Sequence, residues 1–177
     1  MMKFTFCAFI AALILAGCAS KPPPDVTTFV SNANGLRTDL LSENMLETED
    51  KTPEVLWLNA ARAFLYNSTV KSYLELDYLS SQEHGFLEIP PGETLSLTID
   101  GNLVKFTGPG SGKLRRKTKN ETVTERAVYE VDPAIFTQLA TAQKVHVQIT
   151  GDRGTVDRFF GAENFRRFAD FAKKIAP

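Results

Sequence analysis

The sequence predicts an α+β domain built on a mainly antiparallel sheet of about seven strands, with two amphipathic helices in the C-terminal third. Three observations lead there. Residues 70–78 alternate: Val70, Ser72, Leu74, Leu76 and Tyr78 lie on one face, Lys71, Tyr73, Glu75 and Asp77 on the other. Asp100-Gly101 separates two β-type runs, a hairpin signal because both residues tolerate positive φ. "AENFRRFADFAKKIA" near the C-terminus puts Phe165, Phe168, Ala169, Ala172 and Ile175 on one helical face and Arg166, Arg167, Asp170, Lys173 and Lys174 on the other.

The chain opens with "MMKFTFCAFIAALILAGCAS": one charge at Lys3, an apolar run, then small residues before Cys18. That is the pattern of a secretory signal over residues 1–17. As a helix its ~14 apolar residues would span ~21 Å, short of the ~30 Å hydrocarbon core of a bilayer. Leu15-Ala16-Gly17-Cys18 also resembles the lipobox of bacterial lipoproteins. The resemblance covers only the leader. It implies that Cys18 becomes the acylated first residue of the mature protein and that Cys7 is removed with the leader. No free thiol would then remain for a disulfide, a zinc site or a nucleophile. Several acyl chains on one cysteine give stable attachment where one alone binds reversibly. Ala19 after the cysteine resembles the sorting signal for the outer membrane in cells with two membranes.

Residues 18–52 read as a lipidated tether followed by a flexible acidic segment. Pro22, Pro23 and Pro24 favour a semi-rigid polyproline spacer, and "LRTDLLSENMLETEDKTPE" has only faint periodicity, enough for a short helix over 38–46 within loosely held chain. The globular domain is expected over 53–177. Residues 54–66 and 70–82 form a hairpin across Asn67-Ser68-Thr69, Pro91-Gly92 makes a turn, and 94–100 pairs with 102–108. Residues 121–131 form another strand. Asp132 caps a helix with Pro133 in its first position and Ile135, Phe136, Leu139 and Ala140 on its buried face. Residues 144–150 and 154–160 pair across Gly151-Asp152-Arg153-Gly154.

Composition narrows the function. The chain has 20 basic and 21 acidic residues, which is no nucleic-acid footprint. "GPGSGKLRRKTKNE" raises the question of a phosphate loop, which needs G-x-x-x-x-G-K-[ST]. Thr107 stands where the first glycine should be, Leu114 replaces the hydroxyl residue, and a strand follows instead of a helix, so no nucleotide is expected. What remains is a cationic loop of Lys113, Arg115, Arg116, Lys117 and Lys119, a solvated hairpin tip or a contact for an anionic envelope component or protein partner. Glu75 and Asp77 share a strand face, the equipment of glycoside hydrolysis and also the ordinary composition of a wet face. His84 falls in a turn and His146 opposite the core, so no metal set is expected. No cofactor is implied, and no G-x-S-x-G nucleophile is present. The runs "WLNAARAF", "IPPGETLSLTIDG" and "FTGPGSG" are similar to small bacterial lipoproteins of unknown role, which implies no activity. The expectation is a lipid-anchored outer-membrane protein facing the periplasm, non-catalytic, with a binding or structural role. The alternatives are an envelope or peptidoglycan-processing enzyme using Glu75 and Asp77, and an accessory or inhibitor subunit of an assembly or secretion machine.

Overall fold

Strict alternation along the β-runs makes two-sided strands, and the apolar side of each must find cover. The computed structural model describes residues 26–31, 35–49, 52–65, 69–112 and 115–176; the lipobox with Cys18, the proline tether and Lys113 lie outside them. The elements are β1 (Val26–Val30), β2 (Arg37–Leu41), β3 (Val55–Phe64), β4 (Val70–Ser81), β5 (Gly92–Ile99), β6 (Asn102–Gly108), β7 (Arg116–Lys119), β8 (Thr122–Val131), α1 (Ala134–Thr141), β9 (Val145–Gly151), β10 (Gly154–Phe159) and α2 (Ala162–Ile175). The larger sheet runs β1-β2-β3-β4-β8-β7 and the smaller β10-β9-β5-β6, with every pairing antiparallel.

Both sheets and both helices feed one core. Leu56, Leu58, Leu74, Leu76, Ala127 and Tyr129 come from the larger sheet, Leu95, Leu97, Val147 and Ile149 from the smaller, and Phe136, Phe168 and Phe171 from the helices. The Phe136 and Phe171 rings meet edge to face at 5.0 Å, joining α1 to α2. Asp100 and Gly101 both have positive φ, as a two-residue hairpin turn requires. The α+β class and the two late helices are as the sequence predicts, and the described residues form ten strands instead of about seven.

Three further corrections have clear causes. The acidic segment is neither helical nor loose in its described part. Strand β2 pairs with β3, Met45 bridges to Trp57, and Glu47 bridges to Phe159, so residues 45–47 strap the larger sheet to the smaller. Asp39 and Asn44 are buried there, and their side-chain hydrogen bonds replace the apolar contacts that a sequence pattern detects. Next, the basic loop is largely a strand: β7 pairs with β8 across Asn120 and Glu121, both at positive φ. Finally, α2 buries Asn164, Phe168, Phe171 and Ile175, while Ala169 is exposed, because the larger phenylalanine fills the gap beside α1. No helix among the described residues is long and apolar enough to cross a membrane.

Candidate functional site

The glycine loop is built around an anion, and the anion belongs to the chain. Glu125 sits on the inner face of β8 between Val123 and Ala127, with a fully buried side chain. Its carboxylate accepts from the Glu88 N–H at 3.0 Å, the Ile89 N–H at 2.8 Å, the Ser111 hydroxyl at 2.5 Å and Arg116 Nε at 3.2 Å. Gly110 lies against the backbone of Ile89 and Pro90, where a Cβ would come within 2.7 Å of the Ile89 carbonyl oxygen. At Gly108 a Cβ would meet the Tyr129 ring at 2.8 Å. Close packing therefore explains these glycines. Tyr129 shares a hydrogen bond with Thr94 at 2.8 Å, and burial pushes its phenol up to about 12.

The five predicted cations consequently part company. Arg116 is committed inward to Glu125 and Ser111 and lies over Phe86. Arg115 and Lys117 instead line a groove on the outer face of the larger sheet, with a cavity volume of about 660 Å³. Lys119 is exposed at the end of β7, and Lys113 lies outside the described residues.

Cross-strand register assembles that groove. Trp57 pairs with Asp77 and Asp77 with Arg126, while the adjacent row runs Asn59, Glu75, Val128. Glu75 and Asp77, chosen from alternation alone, thus stand in the same groove as Arg115 and Lys117. Asp77 is held on both oxygens: Arg126 donates Nε to Oδ1 at 2.5 Å and Nη2 to Oδ2 at 2.8 Å, and Asn59 Nδ2 donates to Oδ2 at 3.0 Å. Behind it runs a polar chain. Asn59 Oδ1 accepts from the Asn44 N–H at 3.1 Å, and Asn44 Oδ1 accepts from Asn164 Nδ2 at 3.0 Å. Arg167 of α2 donates to the carbonyls of Ser42 and Glu43, each at 2.6 Å, and fixes the rim where Glu43 has a φ of 56°.

Glu75 differs from Asp77. Its side chain is 21% exposed, and its carboxylate meets Arg126 Nη1 only at 3.8 Å, too far for a hydrogen bond. Burial pushes this carboxyl up from its ordinary 4.5; Arg126 opposes the shift, the Asp77 charge adds to it, and Arg115 opposes it. The hydrogen bond to Asp77 in turn holds the Arg126 proton more tightly. A doubly clamped Asp77 has little capacity to act as a base or nucleophile, whereas Glu75 keeps acceptor capacity facing the groove.

The histidines are placed apart in the fold. His84 meets the Ser81 hydroxyl at 2.7 Å in the turn after β4, and His146 pairs with Asp157 at 2.8 Å and stacks on Phe159. Sequence reasoning missed Trp57, Asn59 and Arg126. Alternation of residues 55–63 and 122–130 carries their faces, but not the neighbours they acquire. Comparison with known proteins finds no matching family model, no matching curated protein and no matching solved structure.

Proposed function

We propose that this is a lipid-anchored cell-envelope protein, held by acyl chains on Cys18 in the outer membrane and facing the periplasm, with a non-catalytic binding role performed by the groove. The lipobox resemblance supports the anchor. The clamped Asp77 is the observation that carries the role: both its oxygens are held by Arg126 and Asn59, which fixes the groove for recognition and leaves no free pair of acids. The second reading, a peptidoglycan-processing enzyme, draws on the raised carboxyl of Glu75 as a proton donor. An accessory subunit of an assembly or secretion machine would use the same rim of Arg115 and Lys117. Crosslinking in intact cells tests the proposal. Cys18→Ala is expected to release the protein from the membrane fraction, and the pair Arg115→Glu with Lys117→Glu is expected to abolish the principal adduct. Adducts unchanged by the charge reversal would overturn the groove's role, and a lytic activity lost in Glu75→Gln would favour the enzyme.

A further inference from the structure

We infer that the groove takes a short, lightly acidic glycan: an amino-sugar oligosaccharide with about one carboxylate per disaccharide. This rests on the binding role proposed above and names its ligand. The lining supplies the three things such a ligand needs. Leu40, Trp57 and Leu79 give an apolar patch including an indole, and a pyranose ring offers its C–H face to such a surface. Glu75 lies on the neighbouring row with acceptor capacity that Arg126, at 3.8 Å, leaves unused, suited to a sugar hydroxyl or acetamido N–H. Arg115 and Lys117 stand at the other rim, on β7 and its approach, where a carboxylate on the sugar would find cations.

Charge and span limit the ligand further. Arg115, Lys117 and Arg126 are offset in the lining by Glu43, Glu75 and Asp77. A polyanion such as a phosphorylated lipid headgroup or a nucleic acid would therefore find no net attraction along the groove, whereas a single carboxylate needs only the Arg115–Lys117 rim. From β3, which carries Trp57, to β7, which carries Lys117, the sheet order crosses β4 and β8. Three strand spacings at ~4.8 Å make about 14 Å, the reach of a short oligosaccharide and more than one ring.

Trp57 is the chain's one tryptophan, so its emission reports on the groove alone. The full-length protein in detergent is titrated with N-acetylglucosaminyl-N-acetylmuramic acid and, in parallel, with its neutral analogue diacetylchitobiose. The acidic disaccharide is expected to give a saturable emission change and to bind about ten-fold more tightly than the neutral one, the worth of one charge-assisted hydrogen bond. Arg115→Glu with Lys117→Glu should erase that preference, and Glu75→Gln should weaken both sugars several-fold, with melting curves showing that each variant is folded. Equal affinity for the two sugars would overturn the inference. So would binding of an acidic peptide in place of either sugar, an outcome that leaves the binding role standing. Silence toward sugars and peptide alike overturns the inference; if crosslinking in cells is also insensitive to the rim charges, the binding role falls with it.

Discussion

Two carboxylates, on the two faces of the larger sheet, are treated in opposite ways. Glu125 points inward from β8 and is saturated by two backbone N–H groups, a hydroxyl and a guanidinium. Glu75 points outward from β4, four-fifths buried, with Arg126 at 3.8 Å, beyond hydrogen-bond range. The first ties the backbone of residues 88–89, the glycine loop and β7 to β8. The second contributes nothing comparable to the fold and faces a groove. A buried acid with all its donors is architecture; one with donors missing marks a place where another molecule can supply them.

Breaking the inner acid gives the largest effect. Glu125→Ala removes the carboxylate that Arg116, Ser111 and two backbone N–H groups share, and stability should fall by about 3 kcal/mol, or roughly 10 °C in Tm. Thermal unfolding followed by circular dichroism reads this directly, and a loss under 1 kcal/mol would mean that the lock is dispensable. Next comes the loop that closes over that acid. Gly110 has a φ of 73° and its absent Cβ faces the Ile89 carbonyl oxygen at 2.7 Å. Gly110→Ala should cost about 2 kcal/mol, seen as a lower urea midpoint at unchanged slope.

The outer acid gives the smallest effect, with a characteristic pH dependence. Because the folded Glu75 carboxyl is raised above its ordinary 4.5, the native state holds the proton more tightly than the unfolded chain. Stability contributed by the protonated form is therefore present below the ordinary value and lost as pH rises through the raised one. Glu75→Gln removes this penalty, so its Tm at pH 7 should exceed wild type by a few degrees at most, with the advantage vanishing below about pH 4.5. A Tm that drops at neutral pH would instead show the pairing with Arg126 to be the stronger contribution. The three results sharpen the contrast between an acid that holds the structure and one that the structure holds in reserve.

The sequence made some of this legible for definite reasons. Asp100-Gly101 announced its hairpin because few other pairs accept two positive φ values, and alternation placed Glu75 and Asp77 on one face. It concealed β2 because Asp39, buried at 1% exposure, is satisfied by Thr28 and Arg37 instead of by apolar neighbours. The groove was half visible. Each strand reveals which residues share its own face, but Trp57, Asp77 and Arg126 become neighbours only through register between strands β3, β4 and β8. Glu125 did leave a mark: one acid between Val123, Ala127 and Tyr129 on an otherwise apolar face, a misfit that a buried ion pair explains.

The interleaving of the two sheets has a consequence for when the molecule becomes a protein at all. Strand β4 waits for β8 while the intervening β5–β6 hairpin goes to the other sheet, and β5 in turn waits for β9. The larger sheet is complete only when β8 ends at Val131, the smaller only when β10 ends at Phe159, and the phenylalanines of α2 join the shared core last. The long sequence separations make folding slow and late. A chain delivered N-terminus first therefore completes its shared core only after α2, residues 162–175, has arrived.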